Sequence, residues 1–551
     1  AGILAGAGNL DPTKRGMAAG SDVYVTNYSS SFLDAATTNL LYNGTAQITN
    51  SSYGDGCNGG YTSISNTVDS QTNTYTSILH VFSTGNSGTS NCGYGAGNGW
   101  GNITGGHKQG KNVIATANVY YNGLLASSSS RGPATDGRIK PDITAHGQGQ
   151  LSTDENNGYL SFGGTSGAAP GIAGVSAQLY QLYKDQNEGQ LPESALIKAA
   201  ILNTANDYGN VGPDFKFGWG LVNGLRAAML LEDERYLEDT ITQDSENNHT
   251  ISIPDNTKQV RFMLYWNDPA AVPGASTALV NDIDLKLITP SNTELLPWIL
   301  DPSPNPVTLD QPATNGADHL NNMEQVLINN PQAGDYTLNI KGYDIPSGPQ
   351  HYFVLYEIIS EELTLTYPIG NEKFVVGEQE VIHWDAINTS GNFSLEYSTD
   401  NGNSWSSIGT ASSTSTNYTW TVPNTVSGES IVRITSGSFS DQSSATFSIA
   451  NQVSGVDISQ ICPENLTIVW DLLTDATSYD VYILGEKFME KVGTTSETSL
   501  SIEITDPDRP FWVAVSATGG NNWETRRSIA INNPGGLYNC SLSKDISVES
   551  I

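Results

Sequence analysis

Basic residues are scarce. Lysine and arginine number 24 against 57 aspartates and glutamates in 551 residues, a formal net charge of −33. A surface that acidic repels phosphate, which excludes nucleic-acid binding as the main role. Charge of either sign is thin as well, 15% of the chain against about 25% in ordinary soluble proteins. No apolar run approaches the roughly 18 residues that a membrane span needs, so none is expected. Cysteine is limited to Cys57, Cys92, Cys462 and Cys540. None of them stands in the C-x-x-C spacing of a metal site. Two disulfides made in an oxidising compartment is the reading, with four buried thiols as the alternative. A signal peptide is also missing. The chain opens at Ala1-Gly2-Ile3-Leu4 with no Met, as a processed or truncated chain would.

Gly, Ser, Thr and Asn take the place of the missing charge. Hydrophobic residues make up 37% of the chain and are spread along its length. At roughly 150 residues per domain, three or four cores are expected. Residues 1–236 alternate strand-like runs (Val23–Val25, Ile48–Asn50, Leu79–Phe82, Val113–Ala115) with helix-like ones (Phe32–Tyr42, Ser166–Lys184, Glu193–Thr204). That alternation predicts an α/β domain with a doubly wound parallel sheet. From residue 237 the period falls to two and turn residues multiply, which predicts an all-β domain over 237–361. Two shorter β modules follow, 362–451 and 452–551. Each sets a Trp in a strand (Trp384, Trp470) and closes a Gly/Asn-rich hairpin on a second Trp (Trp405, Trp523). Short strands around a buried Trp suggest immunoglobulin-like or fibronectin-like sandwiches. On this division Cys57–Cys92 and Cys462–Cys540 each stay within one domain.

The chemistry concentrates in Gly163-Gly164-Thr165-Ser166-Gly167-Ala168-Ala169-Pro170-Gly171. A helix with so little girth must lie close against the sheet, which holds its first residues rigidly. A serine there sits among backbone N–H groups at the positive end of the helix dipole, as an acyl-transfer nucleophile requires. On this segment alone an N-cap serine on a tightly packed helix is the favoured reading. Two further segments bear on the choice. Phe82-Ser83-Thr84-Gly85-Asn86-Ser87-Gly88 places an amide in a Gly-bounded turn after a strand. Ser128-Ser129-Ser130-Arg131-Gly132-Pro133 and Asp136-Gly137-Arg138-Ile139-Lys140-Pro141-Asp142 precede the serine.

Together these segments resemble the subtilisin-like serine proteases, the subtilases, in order and spacing over about residues 1–225. The resemblance implies that Ser166 is the nucleophile. It implies that Asn86 and the Ser166 N–H bind the oxyanion. It makes Ser52-Tyr53-Gly54 the edge that pairs with the substrate backbone, and Ser83, Thr84 and Gly85 one wall of the side-chain pocket. It also implies that the catalytic Asp and His segments lie upstream of residue 1. None of the histidines present, among them His80 on a strand and His107 and His146 in loops, has the family's context. Residues 237–361, with Leu279-Val280-Asn281-Asp282-Ile283-Asp284-Leu285, resemble the jelly-roll domain that follows the catalytic domain in some subtilases and in proprotein convertases. Asp282 and Asp284 share one strand face, where they could ligate structural calcium or simply meet solvent. No other motif places a metal.

The expectation is therefore a secreted serine endopeptidase acting on protein or peptide substrates. It needs no cofactor for catalysis and lacks two triad members in this chain. Its β modules are free to hold polymer or surface ligands. The rival is an extracellular binding or adhesion protein built on an inactive subtilase scaffold.

Overall fold

The computed structural model describes residues 1–540 apart from 55, 388, 505, 507, 537 and 538, so the last residues of the fourth expected module lie outside the described residues. The chain divides into two units, Ala1–Gly6 with Gly16–Glu361, and Ala7–Arg15 with Glu362–Ile551.

In the first unit, β1 (Ile48–Ser51), β2 (Leu79–Ser83), β3 (Ile114–Val119) and β4 (Ile143–His146) lie side by side in that order, all parallel. Every residue of β2 and β3 is buried, as a sheet covered on both faces demands. The helices of this unit are α1 (Gly2–Ala5), α2 (Ala35–Tyr42), α3 (Ser63–Thr74), α4 (Thr165–Gln186), α5 (Ser194–Asn203) and α6 (Gly224–Glu232). Small residues let α4 approach the sheet closely, so Ala168, Ala169, Ile172 and Ala173 are fully buried. A hairpin of β5 (Gln150–Thr153) and β6 (Tyr159–Phe162) leads into α4.

The expected strand at Val23–Val25 is not formed. No neighbouring strand pairs with it, and Val25 stands 84% exposed. Three β-branched and aromatic residues in a row favour a strand only when a sheet edge receives them.

After α6 the same unit continues as β7 (Tyr236–Ile241), β8 (Glu246–Ile253), β9 (Gln259–Tyr265), β10 (Asp282–Ile288), the short β11 (Glu294–Leu295), β12 (Trp298–Ile299) and β13 (Thr314–Asn315), then β14 (Met323–Asn329), β15 (Gly334–Asp344) and β16 (Gln350–Ile359). Two four-stranded antiparallel sheets result, β11-β10-β15-β8 and β14-β9-β16-β7. They share a core that includes Phe262, Trp266, Ile283, Leu285, Leu338 and Tyr352. All ten residues of α5 are buried. Its helix packs in one cluster with Val81 and Ile114 of the parallel sheet and with Met263, Tyr265 and Phe353 of β9 and β16. The α/β part and the β part therefore share a core.

Among the described residues the strands of the second unit pair antiparallel, apart from the parallel pairing of Lys373–Val375 with Phe447–Ala450. One core gathers Trp384, Trp420, Phe393 and Phe447. A second gathers Trp470, Trp523, Tyr479 and Val513 between a three-stranded and a four-stranded sheet. Disulfides join Cys57 to Cys92 in the first unit and Cys462 to Cys540 in the second, each with Cα atoms 5.4 Å apart. Among the described residues no helix is long and apolar enough to cross a membrane.

Candidate active site

The carboxyl ends of parallel strands form a natural crevice, because the loops that leave them diverge. Three such loops meet the first turn of α4. Gly164 precedes that turn with φ +81°, and an added Cβ would sit 2.9 Å from Asn86 Oδ1. Glycine is required there on both counts. Thr165 then donates its N–H to Asn86 Oδ1 at 3.0 Å and its hydroxyl to the same oxygen at 3.2 Å. Asn86 Nδ2 stands close by, 3.2 Å from the same Cβ position. Asn86 itself is exposed.

Ser166, half-buried, is tied to the loop after β1 by a reciprocal pair. Its Oγ donates to the Ser52 carbonyl at 3.1 Å, and Ser52 Oγ donates to the Ser166 carbonyl at 3.1 Å. The second bond has a cause in the sequence. Residue 170 is the position whose N–H would normally bond the Ser166 carbonyl, and it is a proline. The orphaned carbonyl takes a side-chain donor instead.

The structure thus brings Ser52, Asn86 and Ser166 together around the start of α4. Tyr53 stands beside them, its hydroxyl on the Ser29 carbonyl at 2.7 Å and its ring 5.1 Å from that of His107. Gly54 is exposed. Ser83 and Thr84 are 2% and 0% exposed, and Thr84 Oγ1 is used on the Thr116 carbonyl at 3.1 Å. Gly85 is also buried, with φ +112° and the Thr104 side chain packed where a Cβ would stand. Any contact from Ser83–Gly85 to a ligand is accordingly through main chain.

His80, His107 and His146 bond elsewhere, to Thr49 Oγ1 (2.7 Å), the Tyr53 carbonyl (3.3 Å) and the Gln148 carbonyl (2.9 Å). Burial holds both the His80 and His107 imidazoles down at about 3, so they stay neutral.

Two sets of supporting residues carry no role in the sequence reading. Gln148 Oε1 accepts from the Gly164 N–H at 2.8 Å and from Asn118 Nδ2 at 2.9 Å, fixing the entry to α4. The triple serine braces the Asn86 turn. Ser130 N–H bonds the Gly85 carbonyl and Gly88 N–H the Ser128 carbonyl, each at 2.9 Å, and Ser130 Oγ accepts from Ser87 N–H at 3.0 Å. The triple serine was visible as a motif; Gln148 has no local signature. The Lys140-Pro141-Asp142 segment is structural. Its buried carboxylate takes Lys140, Lys198 at 2.9 Å and the Ala115 N–H at 2.7 Å.

A groove of about 720 Å³ runs along β1 and the segment 21–29. It shares Ser52 and Tyr53 with the cluster, while Asn86 and Ser166 lie outside its lining.

A helix-start serine faced by an amide from a strand-end turn is an arrangement suited to acyl transfer. In comparison with known proteins, residues 1–220 match the subtilase family. The similarity is to that family over this stretch. Relatives of the chain include the serine protease/ABC transporter B family protein tagB of Dictyostelium discoideum, 25% identical over 317 residues, which cover 43% of this chain and 16% of that protein. The C5a peptidase of Streptococcus pyogenes is 43% identical over 83 residues, 15% of this chain and 7% of the relative. A PII-type proteinase of Lactococcus lactis subsp. cremoris is 37% identical over 101 residues, 17% and 5% respectively. The chain spans about one sixth of the length of the first of these.

Proposed function

We propose that residues 1–236 carry the nucleophile and oxyanion site of a secreted subtilisin-like serine endopeptidase. The carrying observation is the Thr165–Asn86 pair. It holds a side-chain amide beside the first turn of the helix that bears Ser166. Ser166 Oγ would attack the scissile carbonyl carbon while its proton passes to a base. The carbonyl oxygen becomes an oxyanion between Asn86 Nδ2 and the Ser166 N–H. Collapse expels the amine and leaves an ester at Ser166, which water hydrolyses. Ser52-Tyr53-Gly54 would pair with an extended peptide backbone, and Ser83–Gly85 would border its side chain. The residues 237–361 would form a jelly roll, and the modules 362–451 and 452–551 would hold a polymer or surface ligand. No cofactor enters the chemistry.

In the proposal the base is none of His80, His107 and His146, since burial makes the His80 and His107 imidazoles weak bases and all three bond elsewhere. The bond from Ser166 Oγ to a main-chain carbonyl, where an imidazole would serve catalysis, favours a second reading. In that reading the scaffold binds extended peptides without cleaving them.

The purified chain is therefore expected to leave unfolded casein intact. Cleavage that disappears in Ser166→Ala would mean that a base lies within the chain. Cleavage that survives in that variant would remove Ser166 from the reaction.

A further inference from the structure

Away from Ser166, the rim of the β part carries a cluster of unlike side chains. Asp282 and Asp284 alternate along β10 and so project from one face. The loop before β14 brings His319 over them. Its Nδ1 lies 2.8 Å from Asp282 Oδ2 and 3.7 Å from Asp284 Oδ1, and its ring stacks on Tyr343 with centroids 4.3 Å apart. One ligand atom from each of Asp282, Asp284 and His319 falls within 4.8 Å of the others.

Paired acids alone are ordinary surface furniture. The observation that changes their meaning comes from a different strand. Glu324 on β14 is 1% exposed. One carboxylate oxygen accepts the Leu285 N–H at 2.6 Å, next to Asp284, while Oε1 accepts no hydrogen bond. Asp282 Oδ1 and Asp284 Oδ1 are likewise buried and accept none. Burial first, then the charges of Asp318, Asp284 and Asp282, push the Glu324 acid well above its usual range. His319 and Lys341 are the cations that act on Asp282 and Asp284 among the described residues. Asp318 is satisfied locally, by Leu320 N–H, Asn321 N–H and Asn321 Nδ2.

Buried carboxylate oxygens without donors, on Asp282 and Asp284 beside an imidazole and on Glu324 of the neighbouring strand, form an incomplete set of hydrogen bonds but a good set of metal donors. We propose that Asp282, Asp284 and His319 bind a divalent cation, with the buried Glu324 anchoring β10 beside them through the Leu285 N–H. Mixed oxygen and imidazole donors select a borderline ion such as Mn²⁺ over Ca²⁺, which takes oxygen alone. His319 would rotate from its bond with Asp282 to present Nδ1 to the metal. The ion would lock the loop before β14 onto β10.

The test uses the full chain, stripped with EDTA and dialysed, and titrated with MnCl₂ or CaCl₂. Calorimetry and the loss of the free Mn²⁺ paramagnetic resonance signal report binding. One Mn²⁺ per chain is expected, bound more tightly than Ca²⁺. His319→Ala, at a part-exposed ring, should weaken Mn²⁺ by about 10–100-fold, and the isosteric Asp284→Asn by at least as much. Asp255→Asn, at an exposed acid elsewhere, should leave it unchanged. Mn²⁺ bound equally by Asp284→Asn, or only diffusely at many sites, would overturn the proposal and mark the ion as adventitious on an acidic surface. Tighter binding of Ca²⁺, or unchanged Mn²⁺ affinity in His319→Ala, would overturn the assigned donor set.

Discussion

Asn86 is where a single atom matters most. Its Oδ1 is spent on Thr165, so the amide is preorganised before any oxyanion forms, and such a donor stabilises the charged transition state more than the neutral ground state. With a base supplied in solution, Asn86→Ala should slow acylation of Ser166 by about 10²–10³-fold, a scale borrowed from the oxyanion asparagine of a subtilisin. If Asn86 merely held its turn, the variant would instead melt earlier at an unchanged rate, so rate and melting temperature are measured together. His80 and His107 make a second prediction. Burial lowers both from an unfolded value near 6.5 to about 3. The unfolded chain binds more protons between those values, so stability is full above about 6.5 and is lost as pH falls toward 3. At pH 5 each neutral imidazole should remove about 2 kcal/mol of stability. Histidine NMR should find both rings still neutral at pH 5 in the folded chain. A ring titrating near 6.5 would contradict their burial.

Among the elements, α4 was legible and α3 was not, for physical reasons. The run Gly167–Gly174 has too little girth for anything but a buried helix, and Pro170 near its start marks the turn that exposes Ser166. By contrast α3, SISNTVDSQTNT, is polar and poor in helix formers. Tertiary bonds hold it. Buried Asp69 accepts from Tyr61 Oη and from the N–H groups of Lys111 and Asn112, and Thr62 and Ser65 form a capping box. No local pattern reveals such partners. Gln148 was hidden for the same reason, whereas the Asn86 turn and the serines that brace it stand in short motifs. Pro170 yields the prediction at this scale. Pro170→Ala restores a helix donor to the Ser166 carbonyl, which should raise the melting temperature, by up to about 3 kcal/mol of stability. It should also release Ser52 and slow acylation. A variant that is no more stable, yet acylates at the same rate, would show that Ser52 and the carbonyl are paired for other reasons.

For the molecule as a whole, the sequence indicated the change at residue 237 from α/β to β but not how the two parts join. The join is buried charge and a shared helix. Lys111, from the loop before β3, pairs with Asp268 after β9 with both side chains fully buried, and also donates to the Ala278 carbonyl at 2.7 Å. Only a folded partner reveals such a bond, because neither residue carries a motif. Removing one member leaves the other charge buried and unpaired, so Lys111→Met should cost about 3–5 kcal/mol. The loss should appear as one transition of the first unit moving to lower temperature, followed by tryptophans on both sides of the join. Separate melting of the α/β and β parts in the unaltered chain would contradict a shared core.

The central claim is that Ser166 is an acylating nucleophile deprived of a base in this chain. The direct measurement is labelling of the purified chain by a fluorophosphonate, with and without free imidazole, mapped by mass spectrometry. The account predicts negligible labelling alone, acceleration by imidazole, and modification at Ser166 that vanishes in Ser166→Ala. No modification of Ser166 at any imidazole concentration would contradict it and leave the peptide-binding scaffold as the reading of this site.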